Sequence, residues 1–282
     1  MGSAQKYLKS LHKPSSSSHK GQNGIALIIA GGKKYHGSAV LSVIAASRFV
    51  DLLYFYSPSA KVEFFVRKAT PCVICIAKNE LEAHIRKADA ILIGPGMETD
   101  ARTKKLVHFV LAARKKCVLD ASAIRCAKLG ELHARCVLTP HVKEFKAAFG
   151  MDANEKNALS CAKKYKCNIL LKGKTDFIVA AGDEGVAGGR AQMKMRELVR
   201  AVKILKVAGG NAGLAHGGTG DVLAGLLCAL LCKNGFFASM AAASFVNKKA
   251  GETLAKKFGT NFSALDLANG LSSALFRARR YS

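Results

Sequence analysis

The chain has 282 residues, of which 50% are hydrophobic and 22% charged, so it can bury a large core and is neither a disordered segment nor a small disulfide scaffold. Lys and Arg total 44 against 19 Asp and Glu, which gives a net charge of +25. This balance makes nucleic acid, anionic lipid or a polyphosphate ligand the candidate partners.

Residues 1–23 are predicted to form a flexible basic arm. They hold four lysines, no acidic residue and the serine run 15–18. They also lack an apolar signal segment, and no apolar run in the chain is long enough to span a bilayer. The nine cysteines lie mostly within apolar runs, as reduced, buried thiols do. We therefore expect a cytoplasmic protein with no membrane partner.

From residue 24 onward, short apolar strands alternate with helical patterns. Strands are predicted at 25–30, 52–56, 72–77, 90–94, 117–120, 169–172 and 177–180, and helices at 38–49, 80–87, 101–114, 142–149 and 158–165. From residue 219 the chain has the pattern of three helices, at 219–232, 238–258 and 264–279. This order predicts a single α/β domain over 24–282, with a mostly parallel central sheet, helices on both faces and a helical C-terminal end.

The residues that follow the predicted strands are informative, because ligands of such sheets bind at the carboxyl ends of the strands. Glycines and polar side chains cluster there, in the segments 31–37, 94–96, 139–141 and 172–173, and at Asp120. Glycine lets a ligand approach the backbone closely, and the polar side chains supply charge and hydrogen bonds. The clustering predicts an active site at this edge of the sheet.

The segment 217–225, with the sequence GGTGDVLAG, is the strongest motif of the chain. Its glycines precede a predicted helix, so consecutive N–H groups and the positive end of the helix dipole form an anion hole suited to a phosphate. Asp221 falls in the first turn of that helix. A carboxylate beside an anion hole is well placed to take a proton from a hydroxyl that attacks phosphorus.

Several segments, together with this motif, resemble the ADP- or ATP-dependent NAD(P)H-hydrate dehydratases of the ribokinase-like superfamily. They follow one another in the family's order over about residues 20–275. The resemblance implies a ribokinase-like fold and the repair of hydrated nicotinamide cofactors. The matching segments are 20–24, 35–38, 94–96, 118–123, 138–145, 170–176, 217–225, 250–252 and 265–267.

The resemblance also implies a reaction and a role for each site residue. The C6 hydroxyl of the hydrated ring is phosphorylated and phosphate is then expelled, with Asp221 as the base and the amides of Gly218 and Gly220 stabilising the phosphoryl group. Glu144, in the first turn of its helix, is expected near the substrate or as a helix cap. Substrate binding is assigned to Ser38, Gly96, His141 and Asp221, and nucleotide binding to Lys172, Gly173, Thr175, Asn211, Thr219 and Gly220.

The cofactors implied in this way are ADP or ATP and Mg²⁺, and the metal ligands are left open. The partners implied are NADH or NADPH hydrate, further copies of the chain in a homo-oligomer such as a tetramer, and a separate epimerase chain. The sequence does not choose between ADP and ATP, or between the two hydrates.

Three features depart from the family pattern. Glu98 replaces a glycine that lies close to substrate, so we expect Glu98 to point away or the substrate contact to differ there. The family's Gly-Asn-Pro-Gly is Gly-Asn-Ala-Gly at 210–213, which loosens a turn. A basic, helix-prone insert over 188–206 is either a solvated amphipathic helix, a lid over a nucleotide or an RNA-binding surface.

Two other functions remain open at this point. The first is a ribokinase-like kinase for a small hydroxymethyl compound. The second is a basic nucleic-acid-binding protein with degraded catalysis, which the charge and Glu98 favour. Against it, the chain has no recognised RNA-binding motif, and aromatic residues make up only 7%.

Overall fold

The computed structural model describes residues 2–181 and 202–280. Its strands are β1 (Ile25–Ile29), β2 (Leu52–Tyr56), β3 (Ile74–Cys75), β4 (Ala90–Ile93), β5 (Lys116–Leu119), β6 (Cys136–Leu138), β7 (Asn168–Leu171), β8 (Thr175–Ala180) and β9 (Lys203–Ala208). Its helices are α1 (Gly2–Lys9), α2 (His36–Ala46), α3 (Ala60–Ala69), α4 (Leu81–Lys87), α5 (Ala101–Ala112), α6 (Ser122–Cys126), α7 (Val142–Phe149), α8 (Glu155–Tyr165), α9 (Thr219–Leu231), α10 (Phe236–Phe258) and α11 (Ala264–Arg280).

The described strands form one sheet in the order β3-β2-β1-β4-β5-β6-β7-β8-β9. Strands β1 to β7 pair in parallel, with Leu27 of β1 opposite Tyr54 on one side and Ile91 on the other. β8 runs antiparallel to β7, and β9 runs antiparallel to β8. The predicted mostly parallel sheet is therefore present, and the carboxyl ends of β1 and of β4 to β7 meet along one edge.

Helices cover both faces of the sheet, because successive residues of each buried strand point to opposite sides. Ile28 and Leu92 belong to the core that packs under α1, α2, α3, α9, α10 and α11. Leu27 and Ile91 belong to the core under α4, α5, α6, α7 and α8. Strands buried on both faces have continuous apolar sequences, which is why they were recognisable in the sequence.

The contact between α2 and α9 depends on a glycine of the 217–225 motif. A Cβ atom on Gly225 would lie 2.3 Å from the carbonyl oxygen of Ser42, well inside contact distance. The Ser42 hydroxyl in turn donates to the backbone oxygen of Asp221 at 3.1 Å. The close approach thus joins the helix that carries Asp221 to the helix that carries Ser38.

The prediction of a flexible arm is wrong for residues 2–11. Residues 2–9 form α1, and the side chains of Ala4, Leu8 and Leu11 are buried against the helical layer. Tyr7 packs edge-to-face on Phe237 of α10, with ring centroids 5.1 Å apart. The polar composition concealed this docking, because three apolar side chains suffice when the rest of the core supplies their partners.

The basic insert is not helical at its C-terminal end. Residues 203–206 belong to β9, in which Leu205 and Val207 point inward and Lys206 points outward to form a 2.6 Å ion pair with Glu155. Pairing with β8 overrides the helical preference of this segment. The remaining part of the predicted insert, 188–201, lies outside the described residues.

Two smaller differences between the predicted and the observed elements lie in the region after β2. Helix α3 was not predicted, because only Val62 and Val66 are buried there and two apolar positions make a weak pattern. The strand expected at 72–77 is reduced to the two residues of β3. Within 2–181 and 202–280, no helix is both long and apolar enough to cross a membrane.

Candidate active site

The carboxyl ends of β5, β6 and β7 bring three polar side chains together. Asp120, directly after β5, accepts a hydrogen bond from the Thr139 hydroxyl at 2.6 Å and one from Lys172 Nζ at 2.8 Å. Asp120 and Thr139 are buried, and the Lys172 side chain is 17% exposed. A buried charge is costly unless it is paired, so this contact is what allows a charged lysine at the strand ends.

Asp221, in the first turn of α9, faces the same group of charges. Burial and the nearby Asp120 carboxylate raise the pKa of Asp221 to about 7, although a hydrogen bond from the Ser38 hydroxyl and the charge of Lys172 oppose the shift. A carboxylate that titrates near neutral pH can both accept and release a proton there. This property suits a general base.

Lys172 keeps its charge at this position. Burial alone would lower the pKa of Lys172, but the carboxylates of Asp120, Glu144 and Asp221 outweigh that effect and the pKa is raised. The site therefore combines a fixed cation with a carboxylate of raised pKa. A phosphate and a hydroxyl are the groups that such a pair can serve.

The glycine turn before α9 has the geometry of an anion hole. Gly218 is the N-cap with φ of +94°, a conformation that favours glycine, and a Cβ there would lie 2.4 Å from Leu41. The first intrahelical bond runs from Val222 N to Gly218 O, so the amides of Gly220 and Asp221 precede it. A Cβ on Gly220 would lie 3.4 Å from Lys172 Nζ. The amides of the glycine turn and the Lys172 ammonium therefore border the same region.

A cavity of about 860 Å³ opens beside this turn, and we call it the Lys172 cavity. Lys172, Lys174 and Lys248 line it together with one acid, Asp176, so its walls are net positive. That balance fits a polyphosphate. Seven residues with predicted roles lie in its wall: His141, Lys172, Gly173, Thr175, Asn211, Thr219 and Gly220.

Sequence reasoning missed the group that holds two walls of the cavity together. Lys248 of α10 is 6% exposed, and its Nζ donates to the backbone oxygens of Gly173 (3.1 Å), Lys174 (3.2 Å) and Gly209 (3.4 Å). It also forms a 3.4 Å ion pair with buried Asp176. No local signal marks Lys248, because a lysine in a helix normally faces solvent.

Asp176 completes this network from the strand side. It accepts hydrogen bonds from Gly173 N at 2.9 Å and from the Ser244 hydroxyl at 2.6 Å. The loop 173–175 is therefore held by hydrogen bonds to Asp176 of β8 and to Lys248 of α10. A loop held in this way is pre-organised to receive a ligand.

His141 is the N-cap residue of α7. Its Nδ1 accepts hydrogen bonds from Lys143 N and Glu144 N, while Glu144 accepts from His141 N at 2.9 Å. The side chain of His141 is 49% exposed and borders the Lys172 cavity. Glu144 is thus both a helix cap and, through its charge, a neighbour of Lys172 and Asp221.

Gly96 and Ser38 lie side by side at the start of α2. A Cβ on Gly96 would lie 2.3 Å from Tyr35 O and 2.9 Å from Ser38 Cβ, and its φ of +67° favours glycine.

Glu98, the main departure from the family pattern, turns its carboxylate to the Lys33 amide, which donates to it at 2.6 Å. Its charge is therefore compensated by a backbone N–H group of the loop 31–33.

Asn211 and Thr219 border the cavity, but their polar groups bond within the protein. The Asn211 amide donates to Gly251 O at 2.8 Å and accepts from Gly213 N at 2.9 Å, which holds the turn despite the missing proline. The Thr219 hydroxyl donates to Leu214 O at 2.7 Å. Both residues therefore shape the wall, and their contact with a nucleotide stays a prediction.

Solved structures with this fold define the class of protein. A ribokinase-like superfamily protein of Enterococcus faecalis superposes with a TM-score of 0.82 at 23% identity, covering 97% of this chain and 94% of that one. The ADP/ATP-dependent NAD(P)H-hydrate dehydratase of Bacillus subtilis, co-crystallised with ATP and Mg²⁺, gives 0.78 at 23% identity with 97% of both chains covered. The fold is thus ribokinase-like, as expected.

The sequence comparison is more specific. The family model for NAD(P)H-hydrate dehydratase matches residues 26–196 and 198–272. The ADP-dependent (S)-NAD(P)H-hydrate dehydratase of Nitrosopumilus maritimus is 34% identical over 283 residues, which cover 92% of this chain and 91% of that protein. The chain belongs to the NAD(P)H-hydrate dehydratase family, and the predicted family is confirmed.

Some relatives are about twice as long. The bifunctional NAD(P)H-hydrate repair enzyme of Methanocaldococcus jannaschii is 34% identical over 278 residues, which cover 95% of this chain but 51% of that enzyme. The corresponding enzyme of Archaeoglobus fulgidus is 33% identical, with 53% of it covered. The chain spans about half the length of these bifunctional relatives.

Proposed function

We propose that this protein uses ADP or ATP to dehydrate the hydrated nicotinamide ring of NADH or NADPH hydrate. The observation that carries the proposal is the meeting of Asp221, with its pKa of about 7, and Lys172 at the glycine turn of a positively lined cavity. Family membership supports the same activity. In this reaction the nucleotide donates a phosphoryl group, and NAD(P)H, phosphate and the shortened nucleotide are the products.

Asp221 is the base of the first step. It takes the proton of the ring hydroxyl, whose oxygen then attacks the terminal phosphorus of the nucleotide. The amides of Gly218, Gly220 and Asp221 and the Lys172 ammonium stabilise the charge on the transferred group. Phosphate then leaves with the former hydroxyl oxygen and its bonding electrons, and the neighbouring ring carbon loses a proton to solvent, which restores the ring double bond.

The nucleotide is assigned to the Lys172 cavity. The loop 173–175 and the Lys172 ammonium would hold its phosphates, because both lie beside the glycine turn. Ser38, Gly96 and His141 are then left for the hydrated ring. His141 borders the cavity wall, so it would lie between the two ligands.

Mg²⁺ fits this arrangement through the nucleotide. It is usually held by substrate phosphates and one or two carboxylates, and it keeps several waters. Asp120 and Glu144 are the carboxylates that, besides Asp221, act on the charge of Lys172. They would hold the ion, which shields the charge of the phosphates. Mg²⁺, a homo-oligomeric assembly, a cytoplasmic location and a separate epimerase are parts of the proposal.

The test is to incubate NADH hydrate with Mg²⁺ and either ADP or ATP and to follow the absorbance of reduced nicotinamide. Recovery of absorbance that depends on nucleotide and disappears in Asp221→Asn is the expected result. Near-ultraviolet circular dichroism checks that this variant remains folded.

Two results would contradict the proposal. Accumulation of a stable phosphorylated small molecule, without reduced nicotinamide, would indicate a kinase. Salt-sensitive RNA binding with no nucleotide turnover would indicate a nucleic-acid-binding protein. Recovery with only one of the two nucleotides would decide between ADP and ATP.

A further inference from the structure

A second cluster of side chains that can bind a metal lies outside the active site. Cys117, His133 and Cys136 each offer one ligand atom, and these atoms all lie within 4.8 Å of one another. Cys117 is the second residue of β5, three residues before Asp120, so the cluster sits about 10 Å down the strand from the active-site edge. From this geometry we propose that Cys117, His133 and Cys136 bind one zinc ion. This inference does not depend on the proposed function.

The backbone around the cluster is fixed by hydrogen bonds. Cys136 N donates to His133 O at 2.9 Å, which closes a turn, and Cys117 N donates to Arg135 O at 2.9 Å. The buried Asn168 amide donates to Ala134 O at 2.8 Å and to Cys136 O at 3.0 Å. The spacing of His133 and Cys136, with two residues between them, is a spacing that zinc-binding turns use. The ligands are therefore pre-organised.

The two sulfur atoms are already close to the separation that zinc requires. The Sγ atoms of Cys117 and Cys136 are 3.5 Å apart, on directly paired residues of neighbouring strands. Two thiolates bound to one tetrahedral zinc ion lie about 3.8 Å apart, given Zn–S distances of about 2.3 Å. Little movement of the strands is needed to admit the ion between them.

One ring nitrogen of His133 has no hydrogen-bond partner among the described residues. The residue is 6% exposed, and its Nε2 is a buried atom with no hydrogen-bond partner among the described residues. Its Nδ1 faces Arg135 N at 3.2 Å, a long hydrogen bond. Because Nδ1 accepts from Arg135 N, it holds the lone pair of the neutral ring and Nε2 carries the proton. Zinc takes that single lone pair. Binding at Nδ1 replaces the hydrogen bond from Arg135 N, whereas binding at Nε2 requires the ring proton to move to Nδ1.

The charge of the ion is balanced within the cluster. Cys117 and Cys136 are fully buried in the apolar core under α4 to α8, where an unpaired charge is costly. Two thiolates cancel the double charge of Zn²⁺, and imidazole adds none. Soft sulfur ligands also favour zinc over Mg²⁺ and other hard cations. Three protein ligands leave a fourth position, which a water takes in zinc sites with this number of ligands.

The experiment measures zinc in the full chain, with no use of its enzymatic activity. The protein is produced in zinc-supplemented medium, dialysed against metal-free buffer, and its metal content is determined by mass spectrometry. We expect about one zinc ion per chain, and a fall of about tenfold or more in Cys136→Ser and His133→Asn. Cys228→Ser is the matched control, because Cys228 is also fully buried but is not part of the cluster. It should keep its zinc.

Cobalt gives a second measurement on the unaltered protein, in case the variants do not fold. Refolding with Co²⁺ should produce the near-ultraviolet charge-transfer absorption of thiolate–cobalt bonds. Absence of both zinc and this absorption overturns the proposal. So does an equal loss of zinc in Cys228→Ser. A disulfide between Cys117 and Cys136, located by peptide mapping of the metal-free chain, also overturns it, because neither sulfur could then bind zinc.

Discussion

At the scale of single residues, the site depends on how Asp221 is surrounded. Burial is the main cause that raises the pKa of this carboxylate to about 7, and the charges of Asp120 and Glu144 add to the rise. Lys172 limits the rise, because it holds Asp120 directly at 2.8 Å and offers Asp221 a positive charge. The result is a group that is half ionised near neutral pH and is therefore tuned for proton transfer.

The pH dependence of the reaction follows from this pKa. The base must be ionised to accept a proton, so kcat/KM should rise about tenfold per pH unit below pH 7 and level off above it. The measurement is the pH profile of the dehydration reaction between roughly pH 5 and pH 9.

A substitution tests whether Asp221 is the group that causes the rise of kcat/KM below pH 7. Asp221→Asn should remove the activity, whereas Asp152→Asn should leave the profile unchanged, because the Asp152 side chain is 81% exposed and pairs only with Lys146 among the described contacts. If the Asp221→Asn enzyme were active and its kcat/KM still rose in the same way below pH 7, another group would be the base.

At the scale of secondary-structure elements, α10 connects two parts of the wall of the Lys172 cavity. Its Lys248 ammonium joins the loop 173–174 to Gly209, at the end of β9, and pairs with Asp176 of β8. The helix therefore fixes two segments of the cavity wall that belong to other elements. Asn247, the preceding residue, also lines the cavity.

Replacing Lys248 by methionine should weaken nucleotide binding selectively. Loss of its charged hydrogen bonds frees the loop 173–175, so we expect the KM for ADP or ATP to rise roughly tenfold or more. The KM for the hydrate should change little, and Lys248→Arg should restore part of the affinity. Lys256→Met is the control, since Lys256 is exposed on the same helix. Equal increases in both KM values would instead indicate a general loss of structure.

The contact between α2 and α9 is the second feature at this scale. Gly225→Ala should destabilise the protein by about 1–3 kcal/mol, because its Cβ would lie 2.3 Å from a backbone oxygen that cannot move aside. Gly130→Ala is the control, as a Cβ there meets no atom within 4 Å. Urea denaturation of both variants measures the difference. A free energy of unfolding that is unchanged in Gly225→Ala would contradict the proposed close packing.

At the scale of the whole molecule, the chain's N-terminal segment completes the helical layer. α1 packs on α10 and α11, and Arg279 near the C-terminus donates to Leu8 O at 3.3 Å. The first and last helices are therefore joined. The net charge of +25 is a separate matter, because the cavity accounts for only a few of the positive side chains.

The docking of α1 predicts a measurable share of the stability. Leu8 is fully buried, so Leu8→Ala should lower the free energy of unfolding by about 2–5 kcal/mol. Lys9→Ala, at an exposed position of the same helix, should change it little. Thermal denaturation of the two variants checks the prediction, and equal melting temperatures would show that the segment is not part of the folded core.

The ribokinase-like class was implied by the family resemblance. The amino-acid sequence by itself determined most of the strands and helices and the residues of the glycine turn, but not α1, α3, α6, β6 or β9. The predicted elements and the turn follow from local signals: continuous apolar strands, helical spacing and glycines before a helix. The seven predicted residues in the wall of the Lys172 cavity were named through the family resemblance of the motifs that contain them.

Only the tertiary structure decided the pKa of Asp221, the hydrogen bonds of Lys248 to two segments of the cavity wall, the orientation of the Glu98 carboxylate and the packing of α1. Lys248 meets Gly173 across 75 positions of sequence, and Lys33 meets Glu98 across 65. Residues 203–206 became a strand because β8 was available to pair with them. Each outcome depends on charges, hydrogen bonds or burial supplied by distant parts of the chain, and no local pattern contains that information.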